Sequence, residues 1–179
     1  MMVSMLFVFY VFIVMFALIG SMRGWAKEIL VIFSVIIALA LIAVLEKRIP
    51  VVNTFINSNP NLQLGVRVLA VVLVAFFGYQ SPKFTRLGKV ADRRERVQDI
   101  LLGVILGMIS GYMIVGTIWY FLHMANYGPF VKYVMPGTPD LMATTDRVIK
   151  YLPPTWIGSE PNIYVAVVLI AIIIIAVFV

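Results

Sequence analysis

Residues 19–29 read IGSMRGWAKEI and break an apolar run that begins at Met1 and resumes through Leu45. The stretch holds two glycines, three charges and a tryptophan, and is too short to link two domains. It reads as the tight turn of a helical hairpin at a membrane surface. Gly20 and Gly24 let the backbone turn or pack closely where a side chain would clash. Trp25 suits the headgroup layer, and Arg23 and Lys27 hold the turn on the cytoplasmic face. Glu28 falls in the first turn of the second helix, where a carboxylate favours the helix dipole.

Composition agrees with that reading. Of the 179 residues, 63% are apolar and 12% charged, and the mean hydropathy is +1.05. A water-soluble domain is about half apolar and about a quarter charged, so a soluble chain of this make-up would expose large apolar patches and aggregate. Lipid is the expected solvent. The N-terminal run has no basic region and no small-residue cleavage pattern, and reads as a retained span, not a cleaved signal. There is no cysteine, hence no disulfide, thiolate nucleophile or cysteine metal ligand. The net charge of +6 fits lysine and arginine gathering on the cytoplasmic side; no nucleic-acid partner is expected.

A hydrocarbon core about 30 Å thick takes roughly 20 apolar residues in a helix. Four segments meet this: Met1 to Ile19, Ile29 to Leu45, Leu62 to Tyr79, and Ile100 to Leu122. A fifth, Ile163 to Val179, covers about 26 Å and is barely long enough. The first turn carries Arg23 and Lys27, and the third connection carries Lys83, Arg86, Lys89, Arg93, Arg94 and Arg96. These two connections share a side and hold the denser positive charge. They are placed in the cytoplasm, with the N-terminus outside. The expected division is a four-span core over 1–122, an extracytoplasmic interfacial segment over 123–162 and an additional transmembrane helix over 163–179. In the middle segment, Thr138 as N-cap, Pro139 at the first helical position and Asp140 in the first turn predict a helix that stops ahead of Pro153 and Pro154. Leu141, Val148 and Leu152, beside Met142 and Ile149, give it one apolar stripe. It is expected to lie in the membrane interface or to bind a partner.

The fourth span, DILLGVILGMISGYMIVG over 99–116, carries Gly103, Gly107 and Gly111 every four residues, with Ser110 beside them. Glycines at that spacing form a flat groove that lets another helix approach the backbone. The groove serves either packing within the chain or a homodimer seam. Asp99 opens this helix level with Arg23 and Lys27, and is expected to pair with one of them.

The early GSMRGWAKE resembles the GxxRGxxxE signature of the colicin V production protein family. The later DILLGVILGMISGYMIV resembles that family's aspartate-leucine-leucine-glycine helix with glycines every fourth residue. The order of the two motifs and the four-span plan are also similar, over about residues 5 to 155. Ser110 stands where family members often have an arginine, and the fifth span is an addition. The resemblance implies a bacterial cytoplasmic (inner) membrane protein that supports toxin export or envelope maintenance through contact with other proteins.

Signs of chemistry are sparse. The ionisable residue read as intramembrane is Arg67, near the outer interface, where it can snorkel or pair with Glu46. No span has an internal proline, and no matched pair of broken helices indicates a transporter. GMISG over 107–111 is close to the glycine-serine-glycine motif of intramembrane serine proteases but has an extra residue. The only histidine, His123, lies about 20 Å along the same helix from Ser110, too far for a nucleophile–base contact. A haem or pigment ligand role for His123 stands beside that of an ordinary interfacial histidine. The expectation is an all-α polytopic membrane protein: a four-helix glycine-packed core, a fifth transmembrane helix and a short interfacial helix. It is expected to be non-enzymatic, with no cofactor, and partnered by lipid and by other membrane proteins or further copies of itself. An accessory subunit of a photosynthetic or respiratory complex is the alternative, and a small transporter or channel a third.

Overall fold

The computed structural model describes residues 4–50, 53–54, 59–80, 93–131, 133–134 and 139–178. Among them the chain is helical and no strand occurs. The elements are α1 (Met5–Arg23), α2 (Trp25–Arg48), α3 (Pro60–Tyr79), α4 (Arg93–Met124), a 3-10 turn (Gly128–Phe130), α5 (Pro139–Ile149), α6 (Pro153–Trp156) and α7 (Asn162–Phe178). Helices α1, α2, α3 and the Arg96–Met124 part of α4 are each long and apolar enough to cross a membrane, the architecture of a multi-pass membrane protein. In hydrocarbon every backbone N–H and C=O must be satisfied within the protein, and helices do this without help from neighbours. The helices outrun the apolar stretches: α2 includes Trp25–Glu28 and Glu46–Arg48, and α4 includes Arg93–Asp99. A charged side chain ends the hydropathy signal without ending the backbone ladder.

Local chemistry fixes the ends. Asn59 caps α3, its Oδ1 accepting from the Asn61 N–H at 2.9 Å, with Pro60 in the first position. Between α1 and α2 stands a single residue, Gly24, at φ 85° and ψ 157°. This region is open essentially to glycine alone. The Gly24 N–H donates to the Gly20 carbonyl at 3.0 Å, closing α1.

The hairpin expected from that turn needs correction. Helices α1 and α2 diverge from Gly24: α1 lies along α4, whereas α2 packs against both α3 and α4. The physical reason is that the buried stripe of α2 (Val31, Val35, Ala38, Leu39, Ile42) is taken up by α3 and α4. Leu64, Val71 and Ala75 of α3 and Met113, Ile114 and Phe121 of α4 complete this core. A second, smaller cluster joins Phe9 of α1 and Trp119 of α4 to Ile149 and Leu152.

That second cluster also receives the helix expected to be interfacial. Its C-terminal end does not lie free on a surface. Ile149 and Leu152 are buried against α1 and α4, and the Tyr112 hydroxyl donates to the Tyr151 carbonyl. The elbow between α5 and α6 is stitched further by Thr155, whose hydroxyl lies within hydrogen-bonding distance of the Leu152 and Lys150 carbonyls at 2.6 and 2.9 Å. Thr138 and the side chains of Leu141 and Met142 lie outside the described residues. Helix α7, 17 residues long, is shorter than the four long helices and packs on α2, with Ile163 and Ile170 turned inward. Val165, Val168, Leu169 and Ile172 face outward.

Candidate functional site

The Gly24 end of the bundle gathers most of the polar side chains. Arg23 closes α1, and because side chains on a helix lean toward its N-terminus, the guanidinium points back along the bundle instead of away from it. Its Nη1 donates to Glu28 Oε1 at 2.9 Å, and its Nη2 to the Tyr79 carbonyl at 3.1 Å. That carbonyl belongs to the last turn of α3, where a cation complements the helix dipole. The guanidinium carbon also lies 4.2 Å from the Tyr79 ring centroid, a cation–π distance. Glu28 is fully buried. Its second oxygen accepts from Ser110 Oγ at 2.6 Å, so both carboxylate oxygens are held.

Two expectations change here. Arg23 does not pair with Asp99; it turns to Glu28, five residues on. Asp99 instead accepts from the Trp25 backbone N–H at 3.3 Å and caps the start of α2 from across the bundle. Neither Arg23 nor Lys27 forms an ion pair with it among the described residues. The cause is Gly24: a Cβ there would lie 3.0 Å from both Asp99 carboxylate oxygens. The carboxylate thus occupies space that a side chain would need, and it faces backbone instead of the cations. Second, Arg67 is not the one ionisable group in the interior. Glu28 reads as a residue of a turn, yet it is fully buried and bonds to Ser110, eleven residues along α4 from Asp99.

The glycines lie on the same face as this cluster. A Cβ on Gly20 would sit 2.2 Å from the Gly103 carbonyl oxygen, and one on Gly107 would sit 2.4 Å from the Phe16 carbonyl oxygen. At Gly111 a Cβ would meet the Phe16 side chain at 2.6 Å. Helices α1 and α4 are therefore antiparallel and in backbone contact along this row. The structure brings together Gly20, Arg23, Gly24, Glu28, Asp99, Gly103, Gly107 and Gly111.

At the opposite end of α2, Arg67 donates to both oxygens of Glu46, from Nε at 2.7 Å and Nη2 at 2.8 Å. Its guanidinium carbon lies 5.3 Å from the Phe121 ring centroid. His123 stands apart from both clusters, its Nδ1 3.3 Å from the Tyr127 hydroxyl, and among the described residues no group of three metal-ligating side chains forms.

The sequence did not single out Tyr79 or Thr117, and it did not point to Ser110 as a partner of Glu28. A usable signal existed. Ser110 and Thr117 are seven residues apart and share a face of α4, and Glu28 and Glu46 are eighteen apart, five full turns, and share a face of α2. Ser110 and Thr117 are both fully buried. Comparison with protein-family models, with curated proteins and with solved structures finds no match.

Proposed function

We propose that this chain is a non-enzymatic, multi-pass protein of the bacterial cytoplasmic membrane, of the colicin V production type, with its N-terminus outside. It acts by contact with other membrane proteins, in support of toxin export or envelope maintenance. One observation carries the reading. The residues of the two motifs on which the resemblance rests lie far apart in sequence and converge in space, with Asp99 beneath Gly24 and Gly20 against Gly103 and Gly107. In this reading the glycine row is a packing groove that holds α1 on α4, and the motif is a folding device. The outward faces of α1, α3 and α7, rich in exposed phenylalanine, leucine, valine and isoleucine, are left to lipid and partners.

Gentle detergent extraction of the endogenous protein followed by native electrophoresis tests this. Migration alone, as a small oligomer, or with a few colourless membrane proteins is the expected result. A large pigmented or redox-active band would displace it in favour of an accessory subunit of a photosynthetic or respiratory complex. One feature supports that second reading: α7 lies at the edge of the bundle with most of its apolar surface exposed.

A further inference from the structure

The carboxylates at the Gly24 end are committed inside the protein. Both oxygens of Glu28 are held, one by Arg23 and one by Ser110. Asp99 faces Gly24 and accepts from the Trp25 N–H. Neither is turned to the remaining cations. Lys27 and Arg96 are exposed, and among the described residues neither forms an ion pair. At the opposite end two carboxylates do face cations, Glu46 to Arg67 and Glu160 to Lys47.

Geometry adds a ledge. Asp99 is level with the corner through its contact with the Trp25 N–H, so residues 93–98 carry α4 about 9 Å past it. That overhang opens on RRER, residues 93–96. Arg96 stands seven residues before Gly103, two turns of helix, and so continues the face of α4 on which α1 lies. Helix α1 has already ended at Arg23, and Arg96, Val97 and Gln98 are all exposed. Beside the ledge, Leu18 and Met22 of α1 and Leu101 of α4 turn apolar side chains outward. A lipid with a negative headgroup and apolar tails meets both features, whereas an acidic peptide would meet the charge alone.

We propose that the Gly24 end is a binding surface for anionic phospholipid. Arg96 and Lys27 are its contacts to the headgroup phosphate, and the exposed faces of α1 and α4 are the bed for the acyl chains. A lysine or arginine beside anionic lipid is worth about a five-fold gain in binding. In a zwitterionic headgroup the phosphate is offset by its own ammonium, so the protein's cations select the anionic lipid. This goes beyond the contact role proposed above, because the ligand is a lipid and not a protein, and it rests only on the multi-pass membrane architecture.

The test is native mass spectrometry of the full-length protein in a non-ionic detergent, with phosphatidylglycerol and phosphatidylcholine added in equal amounts. Phosphatidylglycerol adducts are expected to outnumber phosphatidylcholine adducts several-fold. Lys27→Gln/Arg96→Gln should bring that ratio close to one, and the charge-conserving Lys27→Arg/Arg96→Lys should keep it. Arg48 and Arg147, at the opposite end, are also exposed and without an ion pair among the described residues. Arg48→Gln/Arg147→Gln therefore removes the same charge and should leave the ratio unchanged. All four positions are on the surface, where such substitutions leave folding nearly unaffected. Equal adducts of the two lipids on the natural chain, an unchanged ratio in Lys27→Gln/Arg96→Gln, or an equal loss in the two glutamine variants would each overturn the proposal.

Discussion

Arg23 and Glu28 are only five residues apart, yet they join three helices. Arg23 ends α1, Glu28 opens α2, and the carbonyl that Arg23 also binds ends α3. Removing one member of a buried pair leaves the other as an uncompensated charge, which costs about 3–5 kcal/mol. Replacing both with neutral groups of similar shape costs much less. Arg23→Gln is therefore expected to lower the melting temperature in detergent micelles strongly, and the double variant Arg23→Gln/Glu28→Gln to recover much of the loss. If the double variant were as unstable as the single one, the charge pairing would not be what joins the helices. The sequence placed these residues at a turn but could not orient them. Their direction depends on Gly24 adopting a positive φ and on Asp99 filling the space beside it, a contact between residues 75 positions apart.

At the scale of elements, the four long helices were legible because each is a long apolar run, and lipid leaves the backbone little alternative to a helix. Which helix packs on which was not legible. The α1–α4 contact rests on backbone approaching backbone, and glycine gives no positive signal in hydropathy; only the spacing of Gly103, Gly107 and Gly111 hinted at it. A matched pair of substitutions separates packing from helix propensity. At Gly107 a Cβ would meet backbone atoms of Phe16 and Gly20 at 2.4 and 3.0 Å, whereas at Gly65 nothing lies within 4 Å. Gly107→Ala is expected to destabilise by about 1–3 kcal/mol, and Gly65→Ala to be neutral or stabilising by up to about 1 kcal/mol. Equal effects in thermal melts would remove the special role of the row.

Besides the apolar packing of Ile163 on α2, an exposed ion pair just ahead of α7 ties the two helices. Lys47 Nζ lies 3.2 Å from Glu160 Oε1. The Tyr164 hydroxyl, donating at 2.8 Å, and then Lys47 hold the Glu160 carboxyl below the usual glutamate range. A carboxylate with a depressed folded-state pKa contributes stability above its unfolded value, and that contribution is lost as pH falls through the folded one. The difference in melting temperature between the natural chain and Glu160→Gln should accordingly be small, since the pair is exposed. It should be present near neutral pH and vanish in acid. A difference that grew on acidification would contradict the sign.

For the whole molecule, the packing puts residues 22 and 97 at the Gly24 end and residue 151 on the far part of the bundle. Met22, Val97 and Tyr151 are all exposed, and the natural chain has no cysteine, so single cysteines at these positions give a clean map. Membrane-impermeant maleimide should reach positions 22 and 97 from one side, and position 151 from the other if it labels at all. Labelling of 22 and 97 from opposite faces would dismantle the arrangement. The overall plan was readable from composition and from the spacing of apolar runs. The descent of the α5–α6 elbow onto α4 was not, because it depends on Tyr112, Trp119 and Gly116 meeting Tyr151, Leu152 and Pro153, residues whose types are ordinary for a membrane helix.

The single-residue corner at Gly24 leaves the chain no slack. Two rods hinged by one peptide cannot slide past each other independently, so an axial push on α2 must haul the foot of α1 with it. Because α1 is seated on α4 by backbone contact where Gly20 meets Gly103 and Gly107, with no pliable side chain between them there, that motion would be passed to the start of α4. A partner that leaned on the far end of α2 would thus be felt beside Asp99, a membrane's thickness away.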